Sequence, residues 1–218
     1  MSLRAPVDPR TLLTWLGLGF GTFGLVLQFW LSMSAMVGSG RDIFGALGSF
    51  LTFYTILSNS LLLLIYLSTI WPADWLRLFR HPLFRGLMLA NMALVTLFVF
   101  LVLRHLYALS GLSLIADNIL HYLCPLLYLL WWLVAQPHGA LRWRNLPLML
   151  APTFIYFLYA MARGAWLGEY PYPILDAIRL GYAQVLLNAL GMTIGLALLC
   201  AIVIALDTLL ARQSRTTP

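Results

Sequence analysis

Six apolar runs follow one another along the chain, and each is long enough to cross a bilayer as an α-helix. Their predicted bounds are 11–36, 44–71, 85–107, 115–135, 147–163 and 178–206. Charged residues make up only 9% of the 218 residues and hydrophobic ones 62%, whereas a soluble domain is about one quarter charged. Apolar surface on this scale requires lipid as its solvent. The sequence therefore predicts an all-α polytopic membrane protein, with residues 1–218 forming a single bundle of six transmembrane helices.

The first run is expected to remain in the protein as a membrane helix. Its 11–36 span is far longer than the apolar stretch of about 7 to 15 residues in a cleaved signal peptide. The connections between runs are too short to contain a second domain. Cys124 and Cys200 both lie inside runs, where we expect them to be buried thiols and not a disulfide.

The arginines predict the orientation of the bundle. All thirteen basic residues are arginine, and with six spans the two termini and the second and fourth loops share one side. That side carries nine of them: Arg4, Arg10, Arg77, Arg80, Arg85, Arg142, Arg144, Arg212 and Arg215. By the positive-inside rule these segments, and so both termini, are cytoplasmic. Because the arginines punctuate membrane runs, the pI of about 9.7 is a consequence of topology, and we expect no nucleic-acid partner.

Hydroxyl and amide side chains recur at helical spacing in the second run. Ser49, Thr52, Thr55 and Asn59 are expected to share one face of this helix. Interhelical hydrogen bonding is the simplest interpretation of such a stripe. A polar side chain at membrane depth also often marks a cavity or a reaction site.

The fourth run contains a histidine one turn after two polar residues. Either Asp117 or Asn118 is placed to hydrogen-bond the His121 ring and to fix its tautomer. At 1.5 Å per residue, His121 lies about 9 Å below the outer end of its helix and Thr52 about 12 Å below the outer end of the second helix. A hydroxyl and an imidazole at similar depth are the minimal parts of nucleophilic acyl transfer.

Two arginines on the opposite, outer side are candidates for binding a substrate carboxylate. Arg104 ends the third run, and Arg179 follows Asp176 near the start of the sixth. Snorkelling of Arg104 toward lipid headgroups is the simpler interpretation. The loop 168–173 before the sixth run carries two tyrosines and two prolines, so it is either part of an aromatic belt or a stiff roof over a site.

Three motifs resemble the androgen-induced protein family. They are Leu51-Thr52-Phe53, Asn118-Ile119-Leu120-His121 followed by Pro125, and Tyr170-Pro171-Tyr172-Pro173. The longer stretches 53–59 and 170–176 are similar to its bacterial branch. The likeness runs in order from the second span to the last.

The resemblance implies a multi-pass threonine hydrolase that cleaves fatty acid esters of hydroxy fatty acids or similar lipids. Matched by position, the nucleophile is Thr52 and the general base is His121. Thr55, one turn deeper on the same stripe, is the alternative nucleophile. To this we add the hypothesis that Asn118 or Asp117 orients the imidazole, and that a tyrosine such as Tyr172, or a buried amide, contacts the oxyanion.

Two other functions remain open. A small transporter or lipid-binding protein would use the polar stripe to line a path. A haem-binding electron carrier would use His105 and His121 as axial ligands. The leading hypothesis is an intramembrane ester hydrolase of the bacterial inner membrane, acting on lipid-like esters among the membrane lipids. At membrane depth no pair of His or acidic residues has metal-ligand spacing, the sequence contains no phosphate-binding glycine loop, and we predict no cofactor.

Overall fold

The computed structural model describes residues 8–106 and 108–216, with side chains up to Gln213. Within these ranges the chain is almost entirely helical and contains no strand. The α-helices are α1 Pro9–Gly38, α2 Ile43–Phe50, α3 Tyr54–Ile70, α4 Arg77–Arg80, α5 Pro82–Leu101, α6 Gly111–Asn118, α7 Cys124–Ala135, α8 Leu146–Leu167 and α9 Ala177–Thr216. A π-helical turn, Ile119–Leu123, joins α6 to α7. The predicted all-α architecture is confirmed.

Helix length and apolarity are those of a membrane protein. Five segments each suffice alone to cross a bilayer: Pro9–Gly38, Pro82–His105, Gly111–Ala135, Trp143–Leu167 and Ala177–Gln213. The pair α2 and α3 passes the same test together and supplies up to one further span. The predicted bounds of the apolar runs agree with those of the observed spans to within a few residues, except that α9 continues past residue 206 to Thr216.

The second predicted helix, 44–71, is wrong as a continuous element. It is broken between Phe50 and Tyr54, where α2 and α3 meet at an angle of 74°. The Thr52 hydroxyl donates to the Gly48 carbonyl at 2.7 Å, and Phe53 adopts extended backbone angles before α3 begins. A Thr hydroxyl that bonds the preceding turn is known to bend helices.

The break also overturns the prediction of a single polar stripe. Ser49 lies on α2 and Thr52 lies in the break, whereas Thr55 and Asn59 lie on α3. Only the last two share a helical face. The bend therefore separates the hydroxyl of Thr52 from that of Thr55.

The two ends of the described chain lie at the same end of the bundle. Asp207 near the end of α9 accepts a hydrogen bond from Gly139 N, and the loop that holds Gly139 packs its Leu141 against Gly86 at the start of α5. Arg10 of α1 lies near Arg85 of α5. We call this end the basal face, and the opposite end, where Arg41 pairs with Glu169, the apical face.

Three glycines allow α1 to approach its neighbours closely. Gly17, Gly21 and Gly24 are buried on one face of α1, and this face packs against α3 and the π-helical turn. A Cβ at Gly17 would overlap the Tyr66 ring. Small residues at such an interface let backbones approach, which is the main source of packing energy between helices in lipid.

Gly17→Ala is expected to destabilise the protein by about 1–3 kcal/mol, because Tyr66 is only 1% exposed and has no room to move aside. Gly19→Ala is the matched control on the same helix. A Cβ at Gly19 meets nothing within 4 Å, so this variant is expected to be neutral or up to about 1 kcal/mol more stable. Thermal unfolding of the purified variants in detergent measures both, and equal midpoints would contradict the packing argument.

Candidate active site

A π-helical turn presents His121 at the centre of the fourth span. The Cys124 N–H bonds back five residues to the Ile119 carbonyl, so the Leu120 carbonyl loses its helical partner. Pro125 has no N–H with which to bond the His121 carbonyl. Two helical carbonyls are thereby released at one place, and π-helical turns of this kind are frequent at functional sites.

Side chains from neighbouring helices bind both released carbonyls. Asn59 Nδ2 on α3 donates to the Leu120 carbonyl at 3.2 Å, and also to its own helix at the Thr55 carbonyl at 2.9 Å. The Thr96 hydroxyl on α5 donates to the His121 carbonyl at 2.7 Å. The backbone on either side of the imidazole is thus held from two directions.

His121 links a hydroxyl to a carboxylate. Its Nε2 lies 3.0 Å from Thr55 Oγ1, and its Nδ1 lies 2.8 Å from Asp117 Oδ1 and 3.1 Å from the Asp117 carbonyl oxygen. Both acceptors on the Nδ1 side favour the tautomer with its proton on Nδ1, which leaves Nε2 to accept the Thr55 proton. The Asp117–His121 contact has the i, i+4 spacing expected from the sequence.

Thr55 lies in the first turn of α3, immediately after the break. The residue is 9% exposed. As first and second residues of the helix, Tyr54 and Thr55 have N–H groups without an intrahelical acceptor. These N–H groups and the helix dipole favour negative charge beside the Thr55 hydroxyl.

Thr52 is placed differently from the sequence expectation. It is 1% exposed, its hydroxyl donates to the Gly48 carbonyl, and its carbonyl accepts from the Tyr156 phenol at 3.0 Å. Among the described residues, His121 makes no hydrogen bond to Thr52. The structure therefore brings the alternative hydroxyl, Thr55, to the imidazole.

Tyr172, in the connection between α8 and α9 at the apical face, covers the Thr55 hydroxyl. Its ring makes edge-to-face contacts with Phe53 and Phe98, each at 6.0 Å between ring centres. Its phenol oxygen lies beside the Thr55 hydroxyl and the N–H groups of Tyr54 and Thr55. Burial raises the pKa of the Tyr172 phenol, so the group remains an O–H donor at neutral pH.

Two cavities meet at Thr55 and Tyr172. The first, of about 600 Å³, lies between α5, α8 and α9 and is lined almost wholly by apolar side chains. The second, of about 490 Å³, also borders His121 and Asp117, and Gln28 is among its polar lining residues. Both volumes fall in the range of ligand pockets, about 300–1,000 Å³.

The other predicted site residues lie outside these cavities. Asn118 is exposed, and its side chain makes no hydrogen bond within the described ranges. Asp176 caps the start of α9 by accepting from the N–H groups of Ile178 and Arg179. Arg104 stacks on the Phe100 ring at 4.8 Å and Arg179 is exposed, so the predicted carboxylate clamp gains no support from the geometry.

Sequence reasoning missed two residues that shape the site. Thr96 is the only hydroxyl side chain of α5, and its isolation in an apolar stretch was the sequence signal that could have identified it. Tyr156 bonds the break from α8 and packs against Tyr54 at 4.7 Å between ring centres. Across the residues that the structure describes, no group of three or more His, Cys, Asp or Glu side chains is placed to hold a metal ion.

The chain matches no family model, and no curated protein or solved structure is significantly similar to it. Its chemistry therefore has to be argued from its own geometry. That geometry is a hydrogen-bonded row of Thr55, His121 and Asp117, with a phenol above it and a cavity on either side.

Proposed function

We propose that this protein is an intramembrane hydrolase of lipid-like carboxylic esters, with Thr55 as nucleophile and His121 as general base. The observation that carries the proposal is the continuous row from Thr55 Oγ1 through both nitrogens of His121 to Asp117. A nucleophile within hydrogen-bond reach of a base, itself oriented by a third group, is the arrangement of acyl-transfer enzymes.

The reaction proceeds in two halves. His121 Nε2 takes the Thr55 hydroxyl proton as Oγ1 attacks the ester carbonyl carbon, and Asp117 stabilises the imidazolium that forms. The imidazolium then gives its proton to the leaving alkoxide, which departs as an alcohol. Water, deprotonated by the same nitrogen, hydrolyses the acyl-threonine and restores the free hydroxyl.

The oxyanion of each tetrahedral intermediate has donors close to the nucleophile. The Tyr172 phenol adjoins the Thr55 hydroxyl, and the N–H groups of Tyr54 and Thr55 at the start of α3 lie beside the same phenol. Preorganised donors in a site shielded from water stabilise developing charge far more than donors in solution do. The helix dipole of α3 adds to this effect.

The two cavities that meet at Thr55 fit a substrate with a long chain on each side of its ester bond. An ester bond beside Thr55 can extend its acyl chain into one cavity and its alcohol portion into the other, because Thr55 borders both. The lining of the larger cavity suits a fatty acyl chain. Fatty acid esters of hydroxy fatty acids, or similar lipids, are therefore the substrates we propose, entering from the membrane.

Tyr172→Phe is expected to lower the turnover number about 100-fold, because the variant keeps the ring contacts and loses one oxyanion donor. The pKa of this phenol is raised, so the group is protonated throughout the neutral range and the loss should not vary with pH there. Initial rates on a p-nitrophenyl ester with a long acyl chain, measured from pH 6 to 8, provide the test. Tyr159→Phe is the control, since Tyr159 borders neither cavity. Unchanged turnover in Tyr172→Phe would remove the phenol from the mechanism.

Labelling with a fluorophosphonate probe tests the proposed function. We expect the purified wild type and Thr52→Ala to be labelled, and Thr55→Ala and His121→Ala to remain unlabelled. Thr55→Ser, which keeps a hydroxyl, should restore labelling and so exclude misfolding as the cause. If labelling were lost in Thr52→Ala and kept in Thr55→Ala, Thr52 and not Thr55 would be the nucleophile. A wild type that neither reacts with the probe nor cleaves esters would overturn the hydrolase.

The alternatives have less support. A transporter or lipid-binding protein would need the cavities but not the hydrogen-bonded row, so His121→Gln should preserve its function. For a haem carrier, His121 would have to give up a contact, since both ring nitrogens already have protein partners, and His105 is exposed.

We also propose membership of the androgen-induced protein family, in its bacterial branch, and a location in the bacterial inner membrane with both termini cytoplasmic. The motifs in the second span, in the fourth span and in the loop before the last span support the family, and the basic residues of the basal face support the orientation. Epitope tags at the two termini should both be inaccessible from the periplasm. Accessibility of either tag from that side would contradict this topology.

A further inference from the structure

A buried arginine at the basal face makes no ion pair with any residue that the structure describes. Arg85, near the start of α5, is 6% exposed; its Nε donates to the Phe79 carbonyl at 3.0 Å, and its guanidinium stacks on the Trp131 ring at 5.0 Å. Within the described ranges, no carboxylate lies within ion-pair distance of Arg85. A buried charge without a counter-ion costs several kcal/mol.

Two further arginines increase this charge. Arg80 of α4 directly follows Phe79, whose carbonyl accepts from Arg85 Nε. Arg10 of α1 lies one turn before Thr14, and the Thr14 hydroxyl donates to the Arg10 carbonyl and accepts from Nε1 of Trp131, the ring on which Arg85 stacks. Arg80 donates to the Ala73 carbonyl, which is neutral. The carboxylate of Asp8 is occupied as the cap of α1, where it accepts from Arg10 N and Thr11 N. Three arginines from three helices therefore lie in the same part of the basal face, and none of them makes an ion pair in the described part of the chain.

We propose that Arg10, Arg80 and Arg85 bind the phosphate group of an anionic phospholipid. Guanidinium groups bind phosphate through paired, charge-assisted hydrogen bonds, and basic pockets between transmembrane helices bind lipid head groups. A phosphate here supplies the negative charge that Arg85 lacks. This site is separate from the proposed hydrolase site, which lies in the other half of the bundle.

The surroundings favour a lipid over a free phosphate ion. α1 and α5 both begin beside these arginines, so the cluster lies where the helices enter the membrane. Trp71 and Trp75, in the connection before α4, are 57% and 59% exposed and pack edge to face. Exposed tryptophans next to helix ends typically lie at head-group level.

Native mass spectrometry of the full chain in detergent tests the proposal, with phosphatidylglycerol as the probe and diacylglycerol of the same acyl chains as the comparison without phosphate. We expect the phospholipid alone to bind with a measurable dissociation constant. Arg10→Gln and Arg80→Gln should each weaken binding about five-fold. Arg77→Gln is the matched control, an exposed arginine of α4 that should leave binding unchanged.

Arg85→Lys separates charge from geometry, because lysine keeps the charge and loses the paired donors. It should weaken binding while the protein stays folded by thermal unfolding. Equal binding of both lipids would overturn the proposal. The proposal would also fail if Arg77→Gln weakened phospholipid binding as much as Arg10→Gln does, or if neither Arg10→Gln nor Arg80→Gln weakened it. Inorganic phosphate that binds as tightly as the phospholipid would overturn the lipid as the source of the phosphate.

Discussion

His121→Ala is expected to lower ester turnover by at least about a thousand-fold, and Asp117→Asn by a similar factor. The first variant removes the base for Thr55. The second keeps the shape of the side chain but loses the charge that holds the Nδ1 proton and stabilises the imidazolium. Initial rates with a long-chain ester give kcat and KM separately, and the loss should be in kcat.

The double variant His121→Ala/Asp117→Asn should be no slower than His121→Ala alone. Residues that act as one unit show strongly non-additive effects, because Asp117 has nothing to orient once the imidazole is absent. Asn118→Ala is the matched control on the next residue and should stay within about two-fold of wild type, since Asn118 is exposed. Multiplicative losses in the double variant would show that Asp117 acts independently of His121.

Asp207→Ala is expected to destabilise the protein by about 3–5 kcal/mol, because it removes the acceptor for two backbone N–H groups. Asp207 is 1% exposed, and its Oδ2 accepts from Gly139 N at 2.9 Å and Leu141 N at 2.8 Å. Its Oδ1 lies 3.1 Å from His138 Nδ1. The carboxylate thus fastens α9 to the basal loop, which is the connection 136–142 after α7.

Thr208→Ala provides the matched comparison for Asp207→Ala. Thr208 is on the same turn of α9, but its hydroxyl donates only within the helix, to the Ile204 carbonyl. Its loss should cost less than about 1 kcal/mol. Thermal unfolding in detergent, with ester turnover as a check on the site, compares the two. Similar midpoints for both variants would show that the basal loop does not depend on Asp207.

Residue spacing along the chain was sufficient to predict much of the architecture and part of the candidate site. Apolar runs of membrane length predicted the spans, because in lipid every backbone group must be bonded inside a helix. Helical spacing predicted Asp117 or Asn118 as the partner of His121, and the structure places Asp117 there. Pro125, four residues after His121, was the local cause of one released carbonyl.

Choosing between the two threonines required the tertiary structure. A uniform helical period places Thr52 and Thr55 on one face, but the 74° bend between α2 and α3 separates them. At the bend, the Thr52 carbonyl accepts from the Tyr156 phenol of α8, 104 residues away in sequence, in addition to the local bond from the Thr52 hydroxyl to Gly48.

The sequence by itself determined the all-α class and the approximate place of the membrane helices, and it limited the partner of His121 to Asp117 or Asn118, because these features follow from periodicity within one helix. Only the tertiary structure decided that Thr55 is the hydroxyl beside the imidazole and that Asn59 and Thr96 hold the π-helical turn. The physical reason is that these contacts join helices far apart in sequence. Such contacts depend on the depth and rotation of each helix in the bundle, which packing sets and local pattern does not.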